Sequence, residues 1–339
     1  MSLPAMSQVK LTGGRSSVSG ITATVFGAGG FLGKYVVNRL GKIGSRVKCP
    51  HRGDEVDVRH LKLAGDLGQV LPSITTIRSL GEIEKAVAGS NVVINLLGKH
   101  YETSRWSFHD AHVAFPGVLA QVCADMGVEK LVHVSALGAE VDSPSAWARS
   151  KALGEEAVRD GFPGATILRP ATMFGDEDKF LNRIAKLSQT MPFYPVVDGA
   201  TKQQPVYMDD VAHAVFVAAT DPSAMGKTIE LAGPKTYTNQ ELIDYVFKVI
   251  KEESNAIQLS KPVGYAFAYG MQQIPNPWMT VDGFRRQSVD LVLPEGVMGF
   301  DELGIDKLTT VEDVGERYLV RFRKMSVFVD EGEVVNAPR

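Results

Sequence analysis

The sequence predicts an α/β protein, a doubly wound parallel sheet with a smaller C-terminal lobe. Over the first 170 residues, short apolar runs rich in β-branched residues alternate with stretches of helical spacing. Strands separated by helices pair in parallel through crossovers. A glycine-rich turn, GAGGFLG at 27–33, joins the first run to the first helical stretch. After Pro170 the alternation gives way to an irregular pattern of Pro, Gly and aromatic residues, followed by further helices. At 339 residues and 44% apolar composition, the chain can bury the core of one large domain or of a domain plus a lobe.

In chain order, residues 1–20 read as an N-terminal arm, 21–175 as the sheet domain and 176–339 as the lobe, with 200–232 returning to the sheet. Strands are expected at 21–26, 46–50, 61–64, 91–97, 131–135 and 165–169. Helices are expected at 34–40, 81–87, 115–126, 150–160, 209–219 and 238–250. TNQE at 238–241 opens the last of these with a capping box, in which hydroxyl and carboxylate satisfy opposing backbone donors. No repeat and no low-complexity segment interrupts the chain.

Composition excludes several function classes. A net charge of −3 gives no concentrated positive surface for nucleic acid. Two cysteines, Cys49 and Cys123, cannot form a disulfide framework. The absence of acidic residues before Asp54 leaves residues 1–19 readable as a remnant of mitochondrial targeting or as an arm on the domain. Residues 262–281 carry no charge, yet Pro262, Pro275 and Pro277 rule out a spanning helix there; the stretch reads as a buried loop or a docking surface. FHDAH at 108–112, with His100 nearby, lacks the spacing of a metal motif. His133 reads as a packed core histidine, and Asp176, Glu177 and Asp178 as a loop or helix start rather than a carboxylate pair.

The chemistry concentrates around the glycine turn. Gly27, Gly30 and Gly33, with Phe31 and Leu32 between the last two, permit a tight turn, close backbone approach to a pyrophosphate and close helix–sheet packing. The helix that follows presents its N-terminus to the phosphates. At the end of the second strand, RVKCPHRGDE, an arginine would pair with a 2′-phosphate and an acid with a 2′-hydroxyl. Arg52 comes first and favours NADP(H); Asp54 and Glu55 keep NAD open. Asp66 and Leu67, taken as the end of a third strand, are expected at the adenine, and Leu97 with Gly98 at the ribose.

These residues resemble the short-chain dehydrogenase/reductase superfamily, in its extended or atypical branch. The resemblance runs from 21 to about 220 through HVSALG at 133–138, Lys151, LRPATMFG at 168–175 with Pro170, and VYMDDVAHA at 206–214. It implies a Rossmann fold in which Ser135 orients a substrate and Lys151 binds the nicotinamide ribose. It also implies a tyrosine acid four residues before the lysine, where this chain has Trp147. An indole N–H cannot relay a proton as a phenol can, so no catalytic residue is assigned. Lys151 keeps a use without the acid, because an ammonium can hold ribose hydroxyls.

The flanks narrow the resemblance. GGRSSVSG at 13–20, RGDEVDVRHLKLAGDLGQV at 52–70, NVVINLLGK at 91–99, KQQPVYMDDVA at 202–212 and PWMTVDGFRRQSVD at 277–290 are similar to the nucleotide-binding accessory subunit of mitochondrial respiratory complex I. That family implies a tightly held NADPH off the electron path and a peripheral position on the matrix side of the inner membrane, near the junction of the two arms. It implies other complex I subunits as partners and a role in assembly or stability, with membrane lipid as a further contact. The alternative is a free reductase or epimerase of the same superfamily, kept open by Ser135 and Lys151.

Overall fold

The computed structural model describes residues 13–274, 277–294 and 296–323; positions 1–12 of the expected arm, 324–339 of the expected lobe, and Pro275 lie outside the described residues. Seven strands form one sheet: β1 (Thr22–Phe26), β2 (Arg46–His51), β3 (Val70–Ile74), β4 (Val92–Asn95), β5 (Lys130–Val134), β6 (Thr166–Pro170) and β7 (Thr228–Leu231). Their order is β7-β6-β5-β4-β1-β2-β3, and every pairing is parallel. The winding reverses between β1 and β4, and the crevice outside the carboxyl ends of those two strands is where an open α/β sheet binds its ligand.

Besides the single turn Glu55–Val58, the α-helices among the described residues are α1 (Phe31–Lys42), α2 (Leu80–Val87), α3 (Phe115–Asp125), α4 (Ala146–Gly161), α5 (Leu181–Thr190), α6 (Met208–Thr220), α7 (Asn239–Ile250), α8 (Lys261–Gln272), α9 (Val281–Gln287) and α10 (Val311–Leu319). On one face of the sheet α1 and α6 bury Val36, Leu40, Val211 and Val215 against the strands. On the other face Phe115, Leu119 and Val158 from α3 and α4 close over Phe26 and Leu131. Two opposed apolar layers explain why the central strands β4 and β5 are buried at every position.

One expected strand is wrong. Residues 61–64 lie in a 3₁₀ helix, Arg59–Ala64, and the third strand is Val70–Ile74. The short apolar run Leu61–Ala64 carries no period that separates strand from helix. Pro72 hid the true strand, which tolerates it because β3 is the sheet edge. The uncharged stretch is likewise helical in part: Pro262 sits in the first turn of α8, where its missing N–H costs nothing. That helix leaves Val263 54% and Tyr269 63% exposed.

The second lobe has its own core, with Leu181 and Ile184 of α5, Leu242 and Val246 of α7, and Tyr318 and Leu319 of α10. Three short strand pairs stitch it together: 173–174 with 206–207, 194–196 with 256–258, and 202–203 with 237–238. The capping box of α7 is formed, Thr238 and Glu241 exchanging side-chain and backbone bonds.

α4 is held to the sheet by a buried ion cluster. Arg169 on β6 donates to Glu155 at 2.8 Å and to Glu230 on β7 at 3.1 Å, and Glu155 is 2% exposed. Removing one partner from a buried pair leaves an uncompensated charge and costs about 3–5 kcal/mol. Arg169→Met is therefore expected to destabilise by about 3 kcal/mol or more, with a smaller loss when Glu155→Leu and Glu230→Leu are added. Denaturant unfolding of the three proteins checks this; a single-variant loss below about 0.5 kcal/mol would show that the cluster does not anchor α4.

Candidate functional site

The glycine turn sits at the carboxyl end of β1. Gly27 has φ +85°, a left-handed conformation, and a Cβ there would come 3.1 Å from the Leu96 carbonyl carbon. A Cβ on Gly33 would come 2.3 Å from the Gly27 oxygen, so only glycine lets α1 start this close to the turn. Gly30 is the N-cap of α1; no side chain caps this end and no acid lies in its first turn. The leading N–H groups of Phe31, Leu32 and Gly33 are thus left for an anion, which the helix dipole favours. Leu32 is buried against the core, and Phe31 packs on it in part. A turn that would be filled by any Cβ and an uncapped helix end fit a dinucleotide diphosphate.

Arg52 follows β2 directly and is exposed. Of the acids after it, Glu55 is drawn off by Lys62 at 2.6 Å. Partial burial, and then the nearby Arg52 charge, hold the Lys99 ammonium below its usual range, and its Nζ donates to Thr103 Oγ1 at 2.9 Å. The Thr75 N–H donates to the His51 oxygen at 2.8 Å, which places residues 75–76 beside Arg52 at the carboxyl end of the sheet. Asp66 and Leu67 are a correction. They precede β3 rather than end it, at the amino ends of the strands, where Asp66 accepts from Ser16 at 2.6 Å and Leu67 is fully exposed.

At the end of β4, Asn95 accepts the Leu97 N–H at 3.1 Å, fixing the exit of the strand. Gly98 then passes over Lys151, whose Nζ would lie 3.4 Å from a Cβ at that position. Lys151 is 5% exposed and donates to the Val134 oxygen at 3.2 Å. Burial pushes its ammonium down from 10.5 to about 8, with Glu155 one turn away pulling back upward. Ser135 is buried and its Oγ has no hydrogen-bond partner among the described residues. Pro170 closes β6, its oxygen accepting the Leu137 N–H at 2.9 Å.

Trp147 sits one turn before Lys151, and its ring is committed on all sides. The indole N–H donates to the Lys99 oxygen at 2.6 Å. His100 stacks on it with ring centroids 6.2 Å apart, and the Arg286 guanidinium lies 4.4 Å from its centroid. Behind it, His112 Nε2 accepts the Lys99 N–H at 3.0 Å, so its proton is on Nδ1 and goes to Ser150 Oγ at 2.8 Å. Burial first, then the Lys151 charge, hold His112 far below the usual histidine range. His112 lies in a π-helical turn, Asp110–Ala114, and its oxygen would be 1.8 Å from a Cβ on Gly154, which brings α4 against it.

The first turn of α4 is capped from the second lobe. Asp282 of α9 accepts from the Ala146 N–H at 2.7 Å, Ser145 Oγ at 2.8 Å and the Trp147 N–H at 3.2 Å. Nothing local in the chain points to these roles of Asp282 and Arg286, which lie more than 130 residues from their partners. Lys99 stood next to Gly98, and His112 was weighed only as part of FHDAH; their shared bond is a tertiary event.

This arrangement can hold a dinucleotide through Gly27, Gly30, Gly33, Arg52 and Lys151. It has no titratable donor at the position of Trp147. Residues 23–232 match the NAD dependent epimerase/dehydratase family. The chain is 43% identical to the Arabidopsis thaliana protein named NADH dehydrogenase (ubiquinone) 1 alpha subcomplex subunit 9, mitochondrial, over 92% of this chain and 80% of that one. It is 43% identical to the Mus musculus protein of the same name, over 86% and 78%. A triphenylmethane reductase from Citrobacter sp., solved in complex with NADP(H), superposes with a TM-score of 0.68 at 19% identity, covering 88% of this chain and 99% of that one; at that identity the likeness is one of fold. The chain belongs to the NAD dependent epimerase/dehydratase family and, within it, to the mitochondrial subunits named NADH dehydrogenase (ubiquinone) 1 alpha subcomplex subunit 9.

Proposed function

We propose that this chain is an accessory subunit of mitochondrial complex I that holds NADPH without turning it over and supports assembly and stability where the two arms of the enzyme meet. The observation that carries this is Trp147: the proton-donor position holds an indole whose N–H is spent on the Lys99 oxygen. A bound NADPH supplies hydride chemistry at its nicotinamide; the residues around it here bind and orient. Gly27, Gly30 and the start of α1 take the diphosphate, Arg52 the 2′-phosphate, and Lys151 the ribose beside Leu97 and Gly98. Arg52 leading the β2 exit, with Glu55 paired to Lys62, supports NADPH over NAD. No helix among the described residues is long and apolar enough to cross a membrane, which agrees with a peripheral place on the matrix side of the inner membrane. The uncharged face of α8 suits contact with neighbouring subunits or lipid.

The first test is chemical. The chain should migrate with complex I in solubilised mitochondria, and denaturing the isolated assembly should release about one NADPH per chain. Arg52→Ala should weaken NADPH by about 1.5–3 kcal/mol, roughly 10- to 150-fold, and leave NADH nearly unchanged. Release of NAD alone, or a free chain of its own mass, would defeat the reading.

Lys151 gives a pH test. Its charged form holds the ribose and predominates below about 8, because burial has lowered it from 10.5. Nucleotide affinity should then decline from neutral pH into the alkaline range, and the decline should flatten in Lys151→Met. An affinity independent of pH would remove Lys151 from the contact.

The reductase reading keeps one supporting observation, the buried and unpartnered Ser135 Oγ beside Lys151. The purified chain should not oxidise NADPH with quinones, ketones or nucleotide sugars. Turnover abolished by Lys151→Ala while nucleotide stays bound would establish the reductase instead.

A further inference from the structure

In the second lobe, the turn 198–201 and the segment that leaves α9 enclose a recess of about 300 Å³, lined by Asp198, Ala200, Thr201, Ser288 and Asp290. It shares no residue with the nucleotide site or the surroundings of Trp147. α9 starts against α4, where Asp282 caps it, and ends at Ser288, about 9 Å further along at 1.5 Å per residue. The start of α7 fixes the turn. The Asn239 N–H donates to the Thr201 oxygen at 3.0 Å, the Gln240 N–H to the Gly199 oxygen at 3.1 Å and Asn239 Nδ2 to the Asp198 oxygen at 3.1 Å. Asp198 is held at φ +38°, a left-handed conformation that few residues other than glycine adopt.

The lining is made almost entirely of acceptors. Neither carboxylate oxygen of Asp198 takes a hydrogen bond among the described residues, and Asp290 keeps Oδ2 free, Oδ1 accepting the Lys202 N–H at 2.8 Å. Ser288 Oγ gives its proton to the Phe284 oxygen at 3.2 Å, which leaves its lone pairs for the recess. Thr201 adds an independent sign. The residue is 5% exposed and lines the recess, yet its hydroxyl has no partner among the described residues. A polar group taken this far out of water requires a partner. Lys202 and Arg285, the cations nearest in sequence, form no ion pair with either carboxylate.

An occupant of this space has to be cationic and rich in donors. A bare metal ion would leave most of about 300 Å³ empty. A guanidinium spreads five N–H donors in one plane and meets several oxygens at once, while its stem fills the remaining room. We propose that the recess is an anchor site for an arginine side chain of a neighbouring polypeptide, whose guanidinium bridges Asp198 and Asp290 and finds further acceptors in Thr201 and Ser288. The proposal rests on the reading above only in taking that neighbour to be another subunit of the assembly.

The full chain, isotope-labelled and carrying its co-purified nucleotide, is titrated at fixed ionic strength with N-acetyl-arginine methylamide and, in parallel, with the lysine and citrulline counterparts. The arginine probe should shift the amide resonances of 198–201 and 288–290 to saturation; the lysine probe should bind severalfold more weakly and the uncharged citrulline probe not at all. Asp198→Asn should weaken the arginine probe about tenfold, and asparagine tolerates the left-handed conformation, so the turn is kept. Thr201→Val preserves the shape, removes the hydroxyl and should weaken the probe severalfold. Equal binding of citrulline and arginine, an affinity unchanged in both variants, or calcium chloride displacing the probe from the same amides would overturn the proposal, the last by making the recess a metal site. In isolated complex I, carbodiimide coupling of glycine ethyl ester should spare Asp198 and Asp290, and it should modify both in the free chain. Equal coupling in the two states would overturn the anchor. A chain that migrates alone would instead defeat the function proposed above, and the titration would still decide the recess.

Discussion

The arrangement depends on one stripe of α4. Trp147, Lys151 and Glu155 recur every fourth residue and so lie on one face of the helix, and each carries a polar group taken out of water. Each finds its partner on a different piece of the sheet: the Lys99 oxygen after β4, the Val134 oxygen on β5 and Arg169 on β6. Buried polar groups must be satisfied, and three of them along a rigid rod leave one rotation and one height at which all are. Gly154 then allows the helix to close on the His112 carbonyl, and Asp282 locks its first turn.

This geometry separates holding a cofactor from using it. An ammonium at Lys151 can serve a nucleotide through charge and position alone, and the chain keeps both. Proton transfer needs a group that titrates and reaches the reacting atom, and the indole at that place does neither, since its single donor is already bound. The site around it is built as tightly as a working one: His112 has one tautomer, fixed by Lys99 and Ser150, and Arg286 and His100 both lie against the indole. Tight packing of this kind makes the indole a wedge between the sheet domain and α9 of the lobe.

What the sequence disclosed follows from how local each feature is. The glycine turn, the buried strands β4 and β5, and the Lys151 spacing are encoded within a few residues, and they stand where expected. β3 went astray because Leu61–Ala64 offers an apolar run without a period, while Pro72 disguises the edge strand. That error carried Asp66 and Leu67 to the wrong end of the sheet, because residues that follow an expected strand at 61–64 precede the true one at Val70–Ile74. Asp282 and Arg286 were invisible for another reason. Their roles exist only once a distant helix is docked on α4, and nothing beside them in the chain records it.

The commitments of the indole also bear on how such a chain can change over generations. A smaller ring at position 147 would leave the Lys99 oxygen without its donor and the Arg286 plane without its platform, and each loss lowers stability before any reactivity appears. Selection sees the intermediate, and the intermediate is worse on the only trait then under test. A descendant of an oxidoreductase that has recruited its lobe around this wedge is on a one-way path. On the proposed reading, the loss of chemistry is locked in by contacts that have nothing to do with chemistry, as a ratchet is held by its pawl.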